Sequence, residues 1–170
     1  MKGTKRLAVL AMFTAIALTI FVAEAQIPPI VPIPGVKLGL ANIVTLIAMA
    51  LLGRRQAGEI LIVRIVLGSV FTGGVSAMLF SIAGGVFAYL IMCLTIRHFP
   101  ERLLWVVSVL AAFGHNAGQL LVAVWVTGTP SILVYAPALV AASVITGAFT
   151  GAAAMYLVRA LRKTGHFPQA

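Results

Sequence analysis

Polar side chains that could bind a small molecule are grouped in one apolar stretch, residues 114–119. His115 and Gln119 are four residues apart and Asn116 and Gln119 are three apart, so a helix places all three on one face. Imidazole and amide groups both donate and accept hydrogen bonds, which suits a polar ligand. The alternative is hydrogen bonding between helices, worth about 0.6 kcal/mol on average in a membrane. Three such groups on one face favour a surface that contacts a ligand.

Arg64 is another candidate because it lies in the middle of an apolar stretch. The chain has three acidic residues, and Glu59, five positions away, is badly placed to pair with Arg64 along a helix. An arginine inside a membrane must find backbone carbonyls, water or an anionic ligand. The alternative is a side chain that extends to the membrane surface while its stem stays in the hydrocarbon.

Lys37 and Asn42 follow a segment with four prolines in seven residues, and Glu24 precedes it. Because proline lacks an N–H donor and fixes φ, this segment predicts a stiff loop between two helices. Glu24 and Lys37 could stabilise the loop as an ion pair, or Lys37 and Asn42 could contact a substrate directly. A cavity with Lys37 and Arg64 would favour an anionic or carbonyl-rich ligand.

Several kinds of chemistry lack their residues in this chain. No aspartate is present, so the aspartate-rich motifs that hold magnesium in prenyl-diphosphate synthases are excluded. No glycine-rich nucleotide loop of the Walker type occurs, and the single Cys93 has no metal-ligand spacing around it. We therefore expect no catalysis, no metal and no cofactor in this chain.

The composition is that of an integral membrane protein. Of 170 residues, 62% are hydrophobic and 9% are charged, whereas soluble domains have about 25% charged residues. The net charge of +9 comes from basic residues in ones and twos between apolar stretches, not from a patch with aromatic residues. This pattern argues against nucleic-acid binding. We expect one transmembrane domain, residues 1–170.

Charged residues and clusters of glycine and proline divide the chain into six apolar stretches. They predict an all-α bundle of six transmembrane helices at about 7–25, 36–52, 57–73, 76–97, 103–127 and 137–160. The third is the shortest and could be broken or shared with the fourth. With the amino terminus inside, cytoplasmic segments hold ten of the twelve basic residues: Lys2, Lys5, Arg6, Arg54, Arg55, Arg97, Arg102, Arg159, Arg162 and Lys163. Both termini are therefore expected in the cytoplasm.

Two of the predicted helices have faces of small residues. The sixth carries Gly147 and Gly151, and the first carries Ala8, Ala11 and Ala15 at helical spacing. Such faces allow the close approach of a second helix. That helix could belong to this chain or to a partner protein.

Residues 34–45, 80–85 and 114–121 resemble the Gx transporter family, which is labelled heptaprenyl diphosphate synthase component I. That family lies within the superfamily of S components, the substrate-binding subunits of energy-coupling factor (ECF) transporters. The resemblance implies a six-helix S-component fold in the cytoplasmic (inner) membrane of a prokaryote, with a site toward the outer face. It also implies that Ala11 and Ala15 dock onto a T component, and that two ATPase subunits supply energy from ATP.

The leading hypothesis is a membrane-embedded subunit that captures a small vitamin-like or precursor molecule at the outer face. The expected contact residues are Lys37, Asn42, His115, Asn116 and Gln119, with Arg64 as a further candidate. A second hypothesis is an accessory membrane subunit of prenyl-diphosphate or quinone biosynthesis. A third is a carrier that transports alone, or a structural membrane protein.

Overall fold

The structure is a computed structural model, which describes residues 3–27, 37–72 and 75–167. Within these ranges it is all-helical, as the sequence predicts. The helices are α1 (Gly3–Glu24), α2 (Asn42–Leu51), α3 (Arg54–Thr72), α4 (Val75–Thr95), α5 (Leu104–Thr127) and α6 (Ala136–Lys163). Short 3₁₀ turns, Glu101–Leu103 and Pro130–Tyr135, precede α5 and α6.

Four of these helices are long and apolar enough to cross a membrane: α1, α4, α5 with the turn before it, and α6 with the turn before it. Helix α2 is apolar as a whole, but its ten residues extend only about 15 Å, half of the roughly 30 Å hydrocarbon core. Helix α3 has 19 residues, and its four charged side chains lower its hydropathy. Of the six predicted spans, four thus correspond to helices long and apolar enough to cross a membrane.

The predicted second helix, 36–52, begins too early. In the structure residues 37–41 are not helical, and α2 begins at Asn42. Gly39 has a left-handed φ of +79°, which an α-helix does not contain. Gly53, with a φ of +98°, ends α2, and α3 then begins at Arg54, three residues before its predicted start. The proline loop and the break at 73–74 lie outside the described residues.

Helix α2 is the centre of the bundle. Eight of its ten residues are buried, because it packs against α1, α3, α4 and α6. Helix α3 contributes Ile60 to the same apolar core, and its Arg64 reaches Asn42 of α2. Helix α1 packs against α3 and buries Phe13, Ala17 and Phe21. Most of α2 is therefore in contact with protein.

The small residues of α6 serve packing inside the chain. A Cβ added to Gly147 would lie 2.6 Å from the Cα of Val109, and one added to Gly151 would collide with the Cα of Trp105. Glycine is thus what lets α5 and α6 approach this closely. On α1, by contrast, Ala11 and Ala15 are exposed, so no helix of the described chain covers them, and docking to a partner stays a prediction.

One end of the bundle collects arginine side chains, and we call it the basic end. It comprises Arg6, Arg54, Arg55, Arg97, Arg102, Arg159 and Arg162. Arg6 Nη2 donates to both oxygens of Glu59, at 3.0 and 3.1 Å. Arg162 lies 3.3 Å from Glu101 and donates to the Ala50 carbonyl at 3.2 Å. That the basic end lies on the cytoplasmic side of the membrane stays a prediction from the charge pattern.

We expect the substitution Gly151→Leu to destabilise the protein by about 1–3 kcal/mol, the usual cost of overpacking a core, because the added side chain collides with α5. Thermal unfolding in detergent measures the effect. Ala141→Leu is the matched control, since Ala141 lies on the exposed surface of the same helix. Equal midpoints for the two variants would contradict the close approach of α5 and α6.

Candidate functional site

The site is built around the non-helical residues 37–41, which lead into α2. The backbone N–H of Lys37 donates to Gln119 Oε1 on α5 at 3.2 Å. The backbone N–H of Gly39 donates to the Glu24 carboxylate at the end of α1 at 2.5 Å. Backbone groups away from water need such partners, because an unpaired N–H in hydrocarbon costs several kcal/mol. Side chains from α1 and α5 thus take the place of helical carbonyls.

Gly39 is required at its position for two reasons. Its left-handed φ of +79° costs other L residues about 1–2 kcal/mol. A Cβ at this position would also lie 2.8 Å from the His115 ring and 2.9 Å from the Asn42 amide nitrogen. The backbone therefore touches the polar side chains of the site directly.

Asn42 connects α3 with α5 through its side-chain amide. Its Oδ1 accepts a hydrogen bond from Arg64 Nη2 at 3.4 Å, and its Nδ2 lies 3.1 Å from His115 Nδ1. Because a guanidinium only donates, the amide oxygen must face Arg64 and the NH₂ group must face His115. His115 Nδ1 is then an acceptor, so the ring is neutral and carries its hydrogen on Nε2.

Two cations share one aromatic ring at this site. Lys37 Nζ lies 3.7 Å from the centroid of the Phe21 ring, and Arg64 Cζ lies 5.7 Å from the same centroid. Both distances are in the range of cation–π attraction. Arg64 is only 3% exposed, so its side chain does not extend to the membrane surface. The ion pair considered for Glu24 and Lys37 is not among the ion pairs of the described residues, and Glu24 accepts the N–H of Gly39.

A small cavity of about 10 Å³ lies between these groups, which is room for roughly one water molecule. Its lining residues include Lys37, Arg64 and His115. The buried atoms Lys37 Nζ, Arg64 Nε and His115 Nε2 have no hydrogen-bond partner in the structure. Lysine and arginine side chains only donate, and His115 donates through Nε2 in the tautomer derived above, so the cavity is suited to an acceptor such as a carboxylate, a phosphate or a carbonyl.

Asn116 is separated from the other five predicted binding residues. Its Nδ2 donates to the Leu139 carbonyl at 3.1 Å and to Ser143 Oγ at 2.8 Å, both on α6. Successive helical residues are rotated by about 100°, so His115 and Asn116 point to different neighbours. The structure thus brings together Lys37, Asn42, Arg64, His115 and Gln119, whereas the Asn116 NH₂ group joins α5 to α6 and its buried Oδ1 has no partner in the described part of the chain.

Three residues of the site were missed by the sequence reasoning or given a different role. Phe21 is one of many apolar residues in α1, and nothing in the sequence marks its contact with the two cations. Ser81 is buried and lines the cavity; it is a polar residue within an apolar stretch, which is a usable signal. Glu24 is likewise a polar residue next to an apolar stretch, so the sequence marks it as a candidate. Its hydrogen bond to the Gly39 N–H, however, is known only from the fold.

The described residues contain no group of three or more His, Cys, Asp or Glu side chains placed to hold a metal ion.

In comparisons with known proteins, residues 13–157 match a family model described as heptaprenyl diphosphate synthase component I. This range contains every residue of the site. No curated protein matches the chain, and no solved structure matches it.

We expect Gly39→Ala to destabilise the protein more than Gly128→Ala does. Both glycines have a positive φ, +79° and +63°, so both variants carry the same kind of backbone strain. Only at position 39 does the new Cβ meet other atoms, while none lies within 4 Å at position 128. The extra cost should be about 1–3 kcal/mol, measured by thermal unfolding in detergent. Equal losses would show that His115 and Asn42 are not packed against this backbone.

Proposed function

The chain belongs to the heptaprenyl diphosphate synthase component I family, and we propose that it is the substrate-binding subunit of an ECF-type importer. In this role it captures a small vitamin-like or precursor molecule at the outer face of a prokaryotic inner membrane, with both termini in the cytoplasm. Partner subunits then move the molecule across.

The observation that carries the proposal is the group of unpaired donors around one buried cavity. Lys37, Arg64 and His115 each have a buried nitrogen without a partner, and they come from three different parts of the chain. Burying charge is costly unless it is compensated, and ionisable groups at membrane depth are typically functional. A bundle built only for packing gains nothing from two cations beside one carboxylate.

The same donors define the chemistry of the ligand. Glu24 supplies the one carboxylate of the cavity lining and already accepts the N–H of Gly39. An incoming carboxylate, phosphate or carbonyl oxygen would add the missing acceptor. The cavity holds about one water molecule in this conformation, so a larger ligand requires this end of the bundle to open. Residues 37–41 are the segment that would move, because they are not helical. Hydrogen bonds to side chains of α1 and α5, rather than helical backbone bonds, hold them in place.

Energy for transport must come from other subunits. The sequence has no Walker-type nucleotide loop, so ATP would be used by two ATPase subunits joined through a T component. Ala11 and Ala15 are exposed on α1, which leaves a smooth surface for a partner helix. This surface is the proposed contact with the T component.

The second candidate is an accessory membrane subunit of prenyl-diphosphate synthesis, which the description of the family favours. The chain has three acidic residues and no aspartate. Glu24 is bound to the Gly39 N–H, Glu59 to Arg6 and Arg55, and Glu101 to Arg159 and Arg162. None is left to hold a magnesium diphosphate, so in this role the chain would support a separate synthase rather than act as one.

Co-purification from the native host separates the two functions. The tagged chain is extracted in mild detergent, and bound proteins are identified by mass spectrometry. We expect a T component and paired ATPases, and we expect the double change Ala11→Trp with Ala15→Trp to remove them by blocking the α1 surface. Ala141→Trp, an exposed alanine on α6, should leave them bound. Recovery of a soluble prenyl synthase without ATPases would instead establish the accessory role.

We expect Lys37→Met to weaken retention of the co-purified small molecule about ten- to a hundredfold, since a hydrogen bond to a charged group is worth about 1.5–3 kcal/mol. The amount released on denaturation, measured by mass spectrometry per mole of protein, reports the change. Lys5→Met, an exposed charge loss on α1, is the control. Equal retention by both variants would mean that Lys37 does not contact the ligand.

A further inference from the structure

A second cavity, of about 450 Å³, lies at the basic end of the bundle. It is formed by the carboxyl-terminal part of α2, the beginning of α3, the segment between α4 and α5, and the last turn of α6. The cavity is thus separated from the site at Lys37 by the length of α2. Nothing in the proposed function makes use of it.

The lining of this cavity carries an excess of positive charge. Arg54, Arg97 and Arg162 contribute guanidinium groups, and Glu101 contributes the carboxylate. Glu101 is engaged by Arg162 at 3.3 Å and by Arg159 at 3.9 Å. Among the described residues, no carboxylate pairs with Arg54 or Arg97 in an ion pair. Two cations therefore remain without an acidic partner around one opening.

The rest of the lining is apolar. It includes Met49, Ile96, Phe99 and Leu104, and Phe99 and Ile96 are only partly buried. A cavity that joins unpaired guanidinium groups to an apolar wall is complementary to an amphiphile, a molecule with an anionic group next to a hydrocarbon chain. Arginine matches phosphate oxygens well because its N–H groups form a rigid planar fork.

We propose that this cavity binds the headgroup of an anionic phospholipid, with Arg54 and Arg97 contacting the phosphate and Phe99 and Ile96 contacting the first carbons of the acyl chains. Two facts favour a lipid over a soluble ligand. The cavity lies at the end of α4 and α6, two helices long and apolar enough to cross a membrane, where lipid headgroups would lie, and basic pockets between such helices bind anionic lipids. A free phosphate ion, in contrast to a lipid, has no hydrocarbon chain to contact the apolar wall of the cavity.

Native mass spectrometry of the full chain in mild detergent tests the proposal with two lipids of identical acyl chains. We expect phosphatidylglycerol to bind at least about tenfold more tightly than phosphatidylcholine, a difference of about 1.4 kcal/mol. Equal binding of the two lipids would overturn the proposal. This comparison uses the unaltered protein, so it does not depend on how any variant folds.

Paired charge changes locate the site. The double variant Arg54→Gln with Arg97→Gln should lose the preference for phosphatidylglycerol. Tyr89 donates to the backbone carbonyl of Arg54 at 3.0 Å, a bond that glutamine retains. The matched control is Arg55→Gln with Arg102→Gln, which removes the same charge from exposed positions outside the cavity lining. An equal loss in both double variants would mean general attraction to a basic surface and would overturn the specific site.

Inorganic phosphate tests whether the cavity binds the phosphate of a lipid headgroup or a free phosphate ion. We expect phosphate at millimolar concentration to leave phosphatidylglycerol bound and to leave the thermal midpoint of the protein unchanged. If phosphate alone stabilises the protein as much as the lipid does, the cavity is a phosphate site and the lipid proposal fails. Either result leaves the proposed function at Lys37 and Arg64 untouched, because the two cavities share no lining residue.

Discussion

Every backbone N–H that leaves the helical pattern away from water must find another acceptor, and residues 37–41 are where this chain meets that requirement. Gln119 accepts from Lys37, and Glu24 accepts from Gly39. These two bonds tie the beginning of α2 to α5 and to the end of α1. The other features of the site follow from them, because the backbone brought to this position carries Lys37 on one side and Asn42 on the other.

The polar groups of the site differ in how fully their hydrogen-bonding atoms find partners. Asn42 is satisfied on both sides, by Arg64 and by His115. Glu24 is engaged through the backbone, while Lys37 and Arg64 rest against the Phe21 ring and keep buried nitrogens without acceptors. A chain that only had to fold could replace these cations with apolar residues at little cost or with a gain in stability. Their presence is therefore better explained by binding than by stability.

The sequence was sufficient for the long apolar helices, since α1, α4, α5 and α6 are each marked by hydropathy and by the charges or prolines at their ends. It was also sufficient to name five of the residues that meet at the site. It could not place the start of α2, because Lys37 and Gly39 look like part of an apolar run until their hydrogen bonds to α5 and α1 are known. It could not place the Asn116 amide for a related reason: the spacing to Gln119 defines only a rough face of α5, and the position of α6 decides which helix that amide meets.

Helix α2 has apolar surroundings on nearly every side, and hydrophobic burial has no direction, so it cannot by itself tell the two ends of this helix apart. The peptide dipoles can, because they sum to a partial positive charge at the amino end and a partial negative charge at the carboxyl end. The Glu24 carboxylate lies at the amino end, bound to Gly39, and the Arg162 guanidinium lies at the carboxyl end, bound to the Ala50 carbonyl. Each pole of the macrodipole thus faces a charge of opposite sign. Both charges therefore stabilise α2 in its observed direction, each by about 0.3–1 kcal/mol, and reversing either charge would turn that attraction into repulsion.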